Sequence, residues 1–297
     1  MRVARSRYII IIFVIGALLL SACGAKINRS QNANMMDSVT LTNKGSDTIV
    51  NLALAWAEAY NEAYPNVSVS VTGGGSGTGI AAMINGTVDI ANASRRIKEK
   101  EVVNAKENGY APVEYVIARD GIAVIVHPQN PIERLTLQQL SDIFSGKITN
   151  WVDVGGENRP IVCLSREVNS GTHVYFLESV VRKGNKNDET FFSPGTLLLP
   201  SSEGITSEIS QNPNAIGYEG LGYVTDGVKT VAVSPSDDGL YIMPTIKTVI
   251  DDTYPISRAL YMYLPEEATG YTKDYIDWIY SEPAQSIVEE LGFVPVN

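Results

Sequence analysis

Three short segments place Gly, Ser and Thr between an extended run and a helical one: Gly45-Ser46-Asp47-Thr48, the Gly-rich stretch Gly73 to Gly79 with Ser76 at its centre, and Ser170-Gly171-Thr172. A helix that starts there presents unpaired amide hydrogens and the positive end of its dipole. Ser and Thr add hydroxyl donors, and Gly lets an anion reach the backbone. Arg166, four residues before Ser170, adds a guanidinium that can hold an oxyanion through two parallel N–H bonds. Any one of these turns is more simply a helix cap. Three of them, with an arginine, point to convergence on a single anion.

The elements that would carry these turns are visible as periodicity. Val39–Leu41, Val67–Val71, Val113–Ile117, Ile122–Val126, Pro160–Leu164 and Leu260–Tyr263 read as separate strands. Leu52, Trp56 and Ala63 recur at helical spacing, and Pro65-Asn66 stops that helix. Further helical patterns run over Gly79–Asn85, Leu137–Phe144, His173–Val181, Lys273–Tyr280 and Ala284–Leu291. Such alternation predicts an α/β architecture with mostly parallel sheets, in which ligands lie beyond the carboxyl ends of the strands.

Competing chemistries fail on spacing. A nucleotide-binding P-loop requires Lys and then Ser or Thr after its last Gly, whereas Ile80-Ala81 follow Gly79. The dinucleotide pattern lacks a Gly at Thr78 or Ile80, and a nucleophile elbow through Ser76 would need Gly at Thr78. Only His127 and His173 are present to serve as a base. His127 precedes Pro128 as a turn residue, and His173 sits at a helix start, where the neutral ring is favoured. No metal cluster and no cofactor motif is apparent.

Acidic residues outnumber basic ones, 33 to 23. That balance disfavours nucleic acid as a partner and leaves any anion to be held by local donors. Arg2, Arg5 and Arg7 precede an apolar run from Tyr8 to Leu20, which meets Leu20-Ser21-Ala22-Cys23. The run falls short of the roughly 18–20 residues of a spanning helix. It reads as an export signal over residues 1–22, and its last four residues resemble a lipobox, which implies a lipid on Cys23. Residues 23–37 read as a flexible tether, whose polar, patternless part from Ala25 to Asp37 reaches at most about 45 Å. Cys163, with no partner for a disulfide, reads as a buried strand thiol.

Further segments join the three turns in a consistent order: Ala93-Ser94-Arg95, Ile143 to Trp151, Asn169 before Ser170, Ala215-Ile216-Gly217-Tyr218, and Tyr254-Pro255-Ile256-Ser257-Arg258. In this order the chain resembles the substrate-binding proteins of bacterial phosphate ABC transporters, within the type II periplasmic-binding-protein superfamily. The resemblance implies two α/β lobes joined by a hinge and closing on one phosphate: residues 38–119 with 257–297, and residues 120–256. It implies a monomeric, non-enzymatic receptor outside the cytoplasmic membrane, anchored through Cys23, that delivers phosphate to a permease. It places Asp47 and Thr48 at the first ligand turn, with Ser46 beside them, Ser76 at the second, and Arg166, Ser170, Gly171 and Thr172 at the third.

Two positions depart from the family pattern. Ser94 stands where some members have an aspartate that accepts the phosphate proton, while Asp47 stands where they have a hydroxyl. Val168 stands where some carry an acidic partner for the ligand arginine, with Glu167 adjacent. We expect that the carboxylate has moved across the cleft, so that Asp47 accepts from protonated phosphate and repels sulfate. Alternatives are a receptor for another tetrahedral oxyanion, such as sulfate or molybdate, and a phosphatase or esterase using Ser76 or Ser170.

Overall fold

The structure, a computed structural model, describes residues 38–296. The export signal and the whole tether of residues 23–37, Cys23 included, lie outside the described residues. Among the described residues ten strands join in one sheet: β1 (Val39–Gly45), β2 (Val67–Thr72), β3 (Ile90–Ala93), β4 (Val113–Val126), β5 (Arg134–Thr136), β6 (Val162–Arg166), β7 (Leu197–Leu199), β8 (Ala215–Gly220), β9 (Lys229–Ser234) and β10 (Ser257–Leu264). The order is β2-β1-β3-β10-β4-β8-β6-β7, with β9 also on β4 and β5 on β9.

The two strands expected at Val113–Ile117 and Ile122–Val126 are one strand of 14 residues. Gly121 between them is extended enough to continue the ladder, and β4 changes partner there. Up to Gly121 it pairs with β10, and from Ile122 it pairs with β8. The sheet is accordingly mixed rather than mostly parallel. β1 runs parallel to β2 and β3, and β6 parallel to β7 and β8, but β10 is antiparallel to both β3 and β4, and β4 to β8 and β9. The parallel groups sit at the two ends, and the antiparallel β4 and β10 connect them.

Nine α-helices flank the sheet among the described residues: α1 (Asp47–Ala63), α2 (Ser76–Ile84), α3 (Glu99–Glu107), α4 (Leu137–Phe144), α5 (Gly171–Phe176), α6 (Ser202–Gln211), α7 (Ile246–Ile250), α8 (Gly270–Ile279) and α9 (Glu282–Glu290). The helix expected over His173–Val181 begins two residues earlier and widens to π winding at Leu177–Val181. None of the helices among the described residues is long and apolar enough to cross a membrane.

Each parallel group has its own apolar interior. Ile49, Leu52, Trp56 and Tyr60 of α1 pack with Leu41, Ile90, Met262 and Tyr275, and the Trp56 indole N–H donates to the Ala284 carbonyl at 2.8 Å. On the other side Phe144, Phe176 and Tyr218 centre a second cluster. Fully burying such side chains contributes about 1.5–3 kcal/mol each, so each turn of the site rests on a separately stabilised base. Cys163 is buried in the second cluster, and burial pushes its thiol up to about 12, as expected of a structural rather than a reactive sulfur.

Candidate functional site

The three turns leave the carboxyl ends of β1, β2 and β6 and meet. Ser46 connects β1 to α1, and its hydroxyl donates to Ser94 Oγ at 2.9 Å. Ser76 opens α2 and lies 3.3 Å from the same oxygen, while its own oxygen accepts the Ser94 amide at 3.0 Å. Across the cleft, the Thr48 and Thr172 hydroxyls are 2.8 Å apart. Gly171 lies against Ser76 and Ser94 so closely that a β-carbon there would press into both hydroxyls. Ser46, Thr48, Ser76, Ser94, Ser170 and Thr172 are all buried. Hydroxyl hydrogens rotate to suit their acceptors, so once the walls part these groups can exchange their mutual bonds for bonds to an anion.

Capping accounts for only part of this. Ser170 is the N-cap of α5, and its oxygen accepts the Thr172 amide at 3.2 Å. Ser46 stands at the N-cap position of α1 without a side-chain capping bond, and Gly75 stands at that of α2. Asp47 is the first residue of α1 rather than its cap. One of its oxygens accepts the Gly74 amide at 2.8 Å and the other accepts Arg166 Nη2 at 2.8 Å. The expected carboxylate is therefore in the cleft. Each of its oxygens already serves the protein once, and a carboxylate oxygen has two lone-pair sites.

Arg166 closes the third turn differently from the fork expected for an anion. Nη2 donates to Asp47 and to the Pro200 carbonyl at 2.7 Å, Nη1 to Ser202 Oγ at 2.8 Å, and Nε to the Leu199 carbonyl at 3.3 Å. A guanidinium has five N–H groups, so one is left for another acceptor. The partner left open by Val168 is Asp47, on the opposite wall.

Arg258 and Asp120 were not among the site residues expected from sequence. They face each other on the paired strands β10 and β4, with Nη2 2.9 Å and Nε 3.2 Å from Asp120 Oδ2. Arg258 Nη2 also reaches Thr172 Oγ1 at 3.0 Å, and Nη1 the Ser94 carbonyl at 2.9 Å. The guanidinium thus orients hydroxyls from both walls. Arg258 lies in one of the segments that carry the resemblance, but a charged pair on two strands 138 residues apart is recognised only once the register is known. Asn169 is a second such residue: its side-chain amide donates to the Gly74 carbonyl and its own carbonyl accepts from Gly77, each at 2.9 Å.

The histidines stand apart from the cleft serines. His127 Nδ1 accepts the Gln129 amide in a turn. His173 Nδ1 lies 3.0 Å from Ser165 Oγ, which in turn meets the Tyr218 hydroxyl at 2.5 Å. Burial holds the His173 ring below its ordinary value, favouring the neutral form. Neither Ser76 nor Ser170 hydrogen-bonds an imidazole among the described residues, which leaves the esterase reading without a base.

Comparison with known proteins agrees with this geometry. A family model described as the PBP superfamily domain matches residues 31–283. The chain is 33% identical to the phosphate-binding protein PstS of Pseudomonas aeruginosa over 87% of this chain and 84% of that one. It is 33% identical to PstS of Bacillus subtilis over 94% and 90%. A crystal structure of a putative phosphate ABC transporter substrate-binding protein with bound phosphate, from Clostridium perfringens, shares 37% identity over 87% of this chain and 100% of that chain, with a TM-score of 0.77.

Proposed function

The chain belongs to the PBP superfamily and, within it, to the PstS-type phosphate-binding proteins, and we propose that it captures inorganic phosphate outside the cytoplasmic membrane for an ABC importer. One observation carries this reading: hydroxyls and helix starts from both parallel groups of the sheet converge at Thr48 and Thr172, 2.8 Å apart. An anion bound there through Ser46, Asp47, Thr48, Ser76, Ser94, Arg166, Ser170, Gly171 and Thr172 bridges two lobes, residues 38–119 with 257–297 and residues 120–256. β4 and β10 form the hinge. Because the full donor set exists only when the walls meet, phosphate favours the closed form, and the permease reads that form. The receptor acts as a monomer, held to the membrane by lipid on Cys23 and by the tether of residues 23–37.

Discrimination falls to Asp47. Phosphate near neutral pH still carries a proton and donates it to the carboxylate, whereas sulfate has none to give and meets only repulsion. A site of this kind separates the two ions by about 10⁴-fold or more. Calorimetric titration of residues 24–297 with phosphate, sulfate, molybdate and arsenate tests the reading. One phosphate per chain, with sulfate weaker by that order, is the expected result. Sulfate or molybdate binding as tightly as phosphate would reject it.

A further inference from the structure

Glu219, on β8, is fully buried, and neither of its carboxyl oxygens lies in hydrogen-bond geometry with another group among the described residues, although the Ser202 side chain faces it. β6 and β8 are parallel, with Val162 opposite Ala215 and Cys163 opposite Ile216. Continuing that register brings Arg166 level with Glu219 on the same face, and the contact between Ser165 and Tyr218 one step earlier agrees with it. Glu219 therefore lies behind the arginine that faces Asp47.

The charges around it do not balance if it is ionised. Arg166 is paired with Asp47, and Arg258 with Asp120. Glu219 is a third carboxyl beside two guanidiniums that already have partners. The groups facing it are Arg166 from β6, Arg258 from β10, Asp120 from β4, Ser202 from the start of α6 and Tyr223 after β8. An ionised Glu219 would make this cluster net negative where a dianion must enter, and an isolated buried carboxylate is costly in itself.

We propose that Glu219 is the charge-setting residue of the anion site, neutral in the phosphate complex and taking a proton from solvent whenever phosphate binds to protein in which it is ionised. This rests on the reading of the cleft as a phosphate site. The environment agrees: burial pushes the carboxyl up to about 8, against the pull of Arg166. Below that pH Glu219 already holds its proton and binding needs none. Above it, binding must restore the proton, so uptake appears and affinity falls as pH rises.

Titrating the full chain with inorganic phosphate at about pH 8.5, in two buffers of different ionisation enthalpy, counts the protons taken up. Phosphate is then almost wholly dianionic, so uptake reports on the protein. The wild type is expected to take up about half a proton or more per anion, and Glu219→Gln close to none. Equal uptake in both, or none in the wild type, would overturn the proposal while leaving phosphate capture intact. No phosphate binding at all would overturn both. If the variant does not fold, the wild-type profile decides: affinity should fall at least threefold between about pH 7 and pH 9, although the dianion fraction rises. A flat or rising affinity would refute it.

Discussion

Asp47 performs two tasks that a single substitution separates. Its carboxylate ties Gly74 of the second turn to Arg166 of the opposite wall, and in the function proposed above its charge distinguishes phosphate from sulfate. In Asp47→Asn the side-chain oxygen can still accept one of these bonds, but the charge is gone. Phosphate affinity is expected to fall at least tenfold, and the preference for phosphate over sulfate to collapse, as read by paired titrations; an unchanged preference would reject the role given to Asp47. Arg166→Ala removes the charged partner of Asp47 and strips donors from Leu199, Pro200 and Ser202. The loss of this guanidinium, with the positive charge and the spare N–H it offers an anion, should weaken phosphate binding at least tenfold. Wild-type affinity in that variant would assign Arg166 a purely structural place.

At the scale of elements, the close approach of α5 to the serines depends on Gly171. A methyl group there meets the Ser76 and Ser94 hydroxyls, and retreat would break the bonds that the Ser94 hydroxyl accepts from Ser46 and that the Ser76 oxygen accepts from the Ser94 amide. Gly171→Ala should therefore keep the fold of each wall but prevent their contact. The measurable outcome is loss of at least tenfold in phosphate affinity, with a melting temperature of the ligand-free protein within a few degrees of wild type. Wild-type affinity would show that the walls tolerate separation at this point. These turns were legible in sequence because each is local: a strand, a Gly/Ser/Thr turn and a helix within about a dozen residues. The short strands β5, β7 and β9 were not. Leu197–Leu199 is an edge strand with two exposed leucines, and nothing in its own pattern announces pairing with β6. Arg258 and Asp120 stayed hidden for the same reason, since their meeting is a property of the β4/β10 register. The change of partner at Gly121 also lay beyond periodicity, which shows where a strand is buried but not what it is bonded to.

For the whole molecule, β4 and β10 link the two parallel groups of the sheet, and polar bonds join the two walls of the site. They include the pair of threonines, the bond of Arg258 to Thr172, the ion pair of Asp47 with Arg166, the bonds of Asn169 to Gly74 and Gly77, Tyr223 to the Asp47 carbonyl at 2.7 Å, and Asn51 to Glu203 at 3.3 Å. Each neutral bond contributes about 0.5–1.5 kcal/mol net, an amount that water can replace when the cleft opens. The two apolar interiors touch near the strand crossover, where Tyr223 packs in the first and Val294 in the second, so the proposed opening would pivot there and leave the rest of each interior packed. Small-angle scattering of the phosphate-free and phosphate-saturated protein should show a smaller radius of gyration with phosphate. Asn169→Ala, which loses the bond to Gly74 but keeps the backbone bond to Gly77, should need about three- to tenfold more phosphate to reach the same compaction. A radius that does not respond to phosphate in the wild type would mean that the two walls are locked together, and that the hinge assigned to β4 and β10 does not move.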